Sequence, residues 1–285
     1  PMYSLPRGLT SQDLLSKGLM LYNRSDFAGA LNYFRTAASV DSDFPETNLN
    51  IGAALLKLGQ TDSAKVYFEH ERELHPLRPL AYTNLAALFM VQDRPDSARA
   101  LAAASLRLRP YDQTAWIIVI RALAADTAAD VDSLYKVCRS AMLETSKALR
   151  VGAEAGAALD MRGESDRASE VYLAAIGSDD PPLELDDRMF EYGYFEARNR
   201  DRRERAKIYM SLGALSGRRG DFAEAAAYSA ESIKLDSTAS GAWINLVSAE
   251  LRLNRRDAAI ETLARAIQRF PNDSILLEFS REIQP

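Results

Sequence analysis

Cysteine and histidine are nearly missing from this sequence of 285 residues: there is one thiol, Cys138, and two imidazoles, His70 and His75. A single cysteine excludes an internal disulfide. Its helical pattern and the lack of a histidine nearby make it a small core residue rather than a nucleophile. The stretch EHERELH (69–75) approaches the zinc-binding HExxH motif, but its histidines stand five residues apart. On a helix that spacing turns them about 140° away from each other, whereas a zinc pair needs four residues. No glycine-rich phosphate loop or serine-centred elbow is present. No metal, cofactor or catalytic residue is therefore expected. Long apolar runs are also lacking. AWIIVI (115–120) stops at Arg121 and is too short to span a bilayer. Positive charge is not in excess: the net charge is −5 and the pI about 5.3, which argues against nucleic acid or an acidic membrane surface as partner. No basic-then-apolar stretch opens the chain, so no signal peptide is expected. Pro1-Met2 reads as an introduced leader, and the natural protein is expected to be longer.

What the sequence does have is a profile of 47% hydrophobic and 26% charged residues, that of a folded protein, and a period. Gly18 lies 34 residues before Gly52, and Ala30, Ala64 and Ala98 step by 34. Phe34 precedes Phe68, Pro76 precedes Pro110 and Tyr82 precedes Trp116 by the same interval. GAALDMRGESDRASEVY (156–172) aligns without a gap on GAALLKLGQTDSAKVYF (52–68). Within each unit apolar residues recur at helical spacing, as in Ile51, Leu55 and Leu58, then Ala64 and Phe68. Breakers such as GQTDS, RGESD and QDRPDS separate two helices, with glycine for a left-handed cap and Asp or Ser to start the next helix. One such unit cannot bury its apolar face alone, so stacking must form the core.

An aromatic, a Leu-Gly, a turn, an alanine, an aromatic and a proline over 34 residues resemble the tetratricopeptide repeat. The resemblance implies an all-α fold: a right-handed superhelical solenoid of about seven helical hairpins, with one irregular insert and a C-terminal capping helix. Residues 1–10 read as linker. Residues 11–182 read as units one to five, at 11–44, 45–78, 79–112, 113–148 and 149–182, the fourth irregular because it lacks the glycine and alanine anchors. Residues 183–205 form an aromatic and basic insert with helix expected over about 185–199. Units six and seven follow at 206–239 and 240–273, and 274–285 caps the array.

In this family the first helix of each unit lines the concave wall, with positions two, five, six, nine and twelve facing the groove. The resemblance thus implies a partner-binding face containing Leu15, Leu19, Tyr22, Leu49, Asn50, Leu56, Thr83, Asn84, Met90 and Asn245. It is rich in apolar residues, which on a surface usually means a partner. Asparagine recurs at position six as Asn50, Asn84 and Asn245; an amide can pair with an extended peptide backbone of any sequence. The clamp that some members use for an acidic C-terminus is absent, since Leu15, Leu19, Leu80 and Asn84 occupy the corresponding places. In the insert, Phe190, Tyr192, Tyr194 and Phe195 beside a run of arginines suit a protein contact. The expected function is a non-catalytic scaffold for a protein or extended peptide. Two alternatives stay open: the recruiting C-terminal arm of a larger enzyme, for instance a membrane-anchored glycosyltransferase, and a self-assembling module, with a homo-oligomer as its product.

Overall fold

The computed structural model describes residues 9–44, 46–146, 148–177 and 191–283, with backbone alone over 191–199. Every helix or strand among the described residues is α-helical, and none is long and apolar enough to cross a membrane. Two compact units are present, Pro1–Ala129 and Asp130–Pro285. Their boundary falls inside the stretch 113–148, where the repeat anchors are missing. The first unit comprises α1 (Ser11–Asn23), α2 (Phe27–Val40), α3 (Thr47–Lys57), α4 (Thr61–Leu74), α5 (Pro79–Val91), α6 (Pro95–Leu108) and α7 (Gln113–Ala125). The second comprises α8 (Val131–Glu144), α9 (Leu149–Met161), α10 (Ser165–Ile176), α11 (Glu191–Arg219), α12 (Phe222–Leu235), α13 (Ser240–Arg252), α14 (Arg256–Arg269) and α15 (Ser274–Ile283). Helices pair as hairpins, α1 with α2, α3 with α4 and α5 with α6 in the first unit, and α9 with α10, α11 with α12 and α13 with α14 in the second.

The turn inside each of these six hairpins is the same. One residue takes a left-handed backbone: Ser25, Gly59, Asp93, Gly163, Gly220 and Asn254, with φ between 54° and 87°. The next residue's N–H then bonds the carbonyl five back, as Gln60 does to Leu55 at 2.9 Å and Asp26 to Leu21 at 3.0 Å. This closes orphan carbonyls at the helix end. Glycine makes the turn without a Cβ clash in three cases. Short polar residues do so in the other three, which is why the glycine period breaks there without the turn breaking.

A close approach of helices follows from a second glycine. A Cβ on Gly18, Gly52 or Gly156 would sit 2.4 Å from a ring carbon of Phe34, Phe68 or Tyr172 respectively. These rings are 0%, 1% and 2% exposed; burying each contributes about 1.5–3 kcal/mol. Between hairpins, an aromatic on a first helix pins the preceding turn. Tyr82 Oη donates to Pro76 O at 3.0 Å, Trp116 Nε1 to Pro110 O at 2.6 Å, and Trp243 Nε1 to Ser237 O at 3.2 Å.

Residues 191–205, assigned to the insert by the sequence, lie within α11, which continues unbroken to Arg219. The boundary expected at 205/206 thus falls inside a helix. Phe190 and the side chains of Tyr192, Tyr194 and Phe195 lie outside the described residues. At the other end, α15 lays Leu276 and Ile283 against Trp243, Val247 and Leu263, and Arg256 Nη2 donates to Ile283 O at 2.7 Å.

Candidate functional site

Within the first unit the first helices of successive hairpins, α1, α3 and α5, stand side by side. The side chains expected to line their wall separate by repeat position. At position five, Leu15 and Leu49 are each 5% exposed and Thr83 3%. These three are core residues, which corrects their placement on an open face. Side chains at this position are used in packing: Leu15 and Leu49 belong to the apolar core of the first unit. Thr83 shows it most clearly. Its Oγ1 donates to Asp112 Oδ2 at 3.0 Å and shares a 2.8 Å hydrogen bond with Ser105 Oγ. Asp112 in turn caps α7 by accepting from Thr114 N and Ala115 N at 3.0 and 3.2 Å. Thr83 therefore joins three helices through buried, satisfied polar groups.

The remaining positions do present surface. Leu19 is exposed, and Tyr22, Leu56 and Met90 are half-buried. Tyr22 rests edge-on against Phe27 with ring centroids 5.1 Å apart, and burial raises its phenol pKa. Asn50 and Asn84 are both half-buried but differ chemically. Asn50 Nδ2 donates to Glu46 O at 2.8 Å, one helical turn back, so one of its two N–H donors is already used. Asn84 has no side-chain hydrogen bond among the described residues and offers both donors and acceptor. Asn245 belongs to the second unit, where its Nδ2 donates to Met210 O at 3.3 Å and ties α13 to α11.

The residues considered for chemistry are not assembled. His70 is exposed and His75 half-buried at the end of α4. No group of three or more metal-ligating side chains occurs among the described residues. Cys138 is fully buried, its Sγ 3.8 Å from Ala155 O, and burial pushes its thiol up to about 12. Thiol reagents at pH 8 should leave it unmodified in the folded chain and label it only in denaturant, because the thiolate is the reactive species. Fast labelling of native protein would contradict this burial.

Glu71 escaped the sequence reading, in which carboxylates are solvated surface. Glu71, in the last turn of α4, is 1% exposed. Neither carboxylate oxygen has a hydrogen-bond partner among the described residues; Arg78 Nη1 stands 3.8 Å from Oε1. The 34-residue register carries the signal that could have found it. The equivalent residues are Ala37 and Ser105, both fully buried, so the column requires a small side chain and holds one glutamate.

Tetratricopeptide-repeat family models match residues 218–278 and 49–113. No curated protein matches the chain. Among solved structures it is similar to PilF of Pseudomonas aeruginosa, at 16% identity and a TM-score of 0.56, over 83% of this chain and 96% of that one. A tetratricopeptide repeat protein from Parabacteroides merdae aligns at 14% identity and a TM-score of 0.52, over 96% and 98%. The Cut9–Hcn1 hetero-tetramer of APC/C aligns at 15% and 0.54, over 98% of this chain and 57% of that chain. At these identities the likeness is one of fold.

Proposed function

Since the chain is built of tetratricopeptide repeats, we propose that it is a non-catalytic binding scaffold. In this reading its first unit holds an extended segment of a protein partner along α1, α3 and α5. The observations that carry this are the exposed or partly exposed Leu19, Leu56 and Met90, one on each of α1, α3 and α5, and the amide of Asn84 on α5, which has no side-chain hydrogen bond among the described residues. Partly exposed apolar side chains supply area with little specificity. A free amide supplies a donor and an acceptor that match the peptide backbone whatever the partner's side chains. Leu15, Leu49 and Thr83 support the wall from beneath without touching the ligand.

The test is calorimetry with a partner recovered by the chain and reduced to its binding segment. Asn84→Ala should weaken binding by about 0.5–1.5 kcal/mol, roughly twofold to tenfold. Asn50→Ala should weaken it less, because its amide group is already bonded within α3. Met90→Asp should abolish it. Asn84→Ala should leave folding within about 0.5 kcal/mol of the parent. Parental affinity in both the Asn84 and Met90 variants would remove the wall of the first unit as the binding surface.

A further inference from the structure

The second unit carries a cleft that the peptide-binding reading does not use. It lies among the C-terminal turn of α12, the first turn of α13 and the last turns of α14, with a volume of about 620 Å³. Its lining includes three cations, Lys234, Arg265 and Arg269, and no carboxylate. In a chain of net charge −5 this is a local inversion of sign. Two nearby carboxylates are engaged. Glu231 accepts from Lys234 Nζ at 3.2 Å through both oxygens. Asp236 accepts from Thr238 Oγ1 at 2.6 Å and Thr238 N at 2.9 Å. Arg265 and Arg269 are exposed and have no carboxylate within 4.0 Å among the described residues. More positive charge stands alongside: Arg202 on α11 donates to Lys234 O at 3.3 Å. Arg203 and Arg202, after the stronger hydrogen bonds from Thr238, help to hold the Asp236 carboxyl below its usual range.

We propose that this cleft is a docking site for an acidic segment of a partner protein, read by Arg265 and Arg269 through carboxylate side chains. Guanidinium groups accept carboxylates in paired, parallel hydrogen bonds. Lys234 already has Glu231 as its partner, so the two arginines are the cations of the lining that remain open to a carboxylate. The occupant's class follows from what surrounds them. The cations stand along the cleft on two helices, which suits carboxylates spaced along a chain more than one compact phosphate. Nucleic acid would need exposed rings on which bases stack, but Trp243 is 5% exposed, with Arg265 over its ring at 5.4 Å. A long polyanion would also meet the repulsion of an acidic protein, whereas a short segment meets mainly the field within a Debye length.

The probe is a fluorescent peptide of alternating glutamate and serine, followed by anisotropy with the full chain. The control is the same peptide with glutamine for glutamate. Saturable binding of the glutamate peptide alone is expected. It should weaken severalfold when ionic strength rises from about 0.01 to 0.1 M, which shortens the Debye length from about 30 to 10 Å. Arg265→Gln/Arg269→Gln should weaken it about tenfold, as two exposed charge pairs are lost, while Arg150→Gln, elsewhere in the unit, should not. Arg269→Gln alone keeps the cation over Trp243 intact, so a severalfold loss in that variant separates charge from packing. Circular dichroism melts of all variants should coincide.

No saturable binding below about 1 mM, or equal binding of the glutamine peptide, would overturn the proposal. So would tight binding of a heparin oligosaccharide with none of the peptide. The chain's own SDDPPLELDD (178–187) is the remaining occupant. If neutralising its five carboxylates raises peptide affinity tenfold, the cleft serves this chain and not a partner.

Discussion

Replacing Arg78 with alanine should destabilise the first unit by about 2–3 kcal/mol, somewhat less than the roughly 3–5 kcal/mol lost when a fully buried ion pair is broken from one side. The reason is the partner left behind. Glu71 is 1% exposed and its oxygens have no hydrogen bond among the described residues, so Arg78 at 3.8 Å is the compensating charge. Arg78 itself is 35% exposed at its side chain, and water admitted through that side keeps the effect from being larger. Glu71→Ala should behave oppositely. It places in the column the small side chain that Ala37 already has, and removing both members of a buried pair is often neutral or stabilising. The double variant Glu71→Ala/Arg78→Ala should therefore be more stable than Arg78→Ala alone, by about 2 kcal/mol. Denaturant midpoints, with amide exchange of α4 and α5 to localise the change, give the measurement. If the single arginine variant and the double variant unfold together, the pair contributes nothing.

Gly52→Ala should destabilise by about 1–3 kcal/mol, the usual cost of overpacking, although on an open helix the same change stabilises by about 1 kcal/mol. Steric conflict wins because the added methyl carbon would meet Phe68 Cε1 at 2.4 Å and Cδ1 at 2.7 Å. Phe68 is 1% exposed, so its ring has nowhere to go. Phe68→Leu alone should also destabilise, by leaving space. Combined with Gly52→Ala, part of that space is refilled, so the two changes should couple favourably by about 1 kcal/mol or more. Strict additivity in urea unfolding would falsify the claim that glycine and ring are a matched pair.

The architecture was legible because it repeats. Gly52 beside Phe68, and Tyr82 or Trp116 six residues after the proline of the preceding turn, are positions where a residue type is dictated by a neighbour at fixed separation, and a period of 34 exposes that dictation. The turn residues were half legible: Gly59 announces a left-handed backbone, whereas Ser25, Asp93 and Asn254 take it without announcing it. The candidate wall was less so. Helical periodicity places Leu15, Leu49 and Thr83 on the right helices but resolves rotation about the axis only to within a residue, and one residue's rotation separates core from surface. Glu71 was missed for another reason: a carboxylate next to basic residues reads as solvated unless the repeats are stacked and its column compared.

The indole clamps have a practical consequence. The chain's two tryptophans fall one to each compact unit, Trp116 in the first and Trp243 in the second. Each indole N–H is bonded to the turn that precedes its own helix. Intrinsic fluorescence is thus a built-in pair of reporters, each sensing whether one specific inter-hairpin junction is closed. With Trp116→Phe and Trp243→Phe each unit can be followed separately as denaturant is raised. Coincident curves would mean that the 285 residues melt as one cooperative body, and separated curves that the array comes apart in two halves, each at its own denaturant concentration.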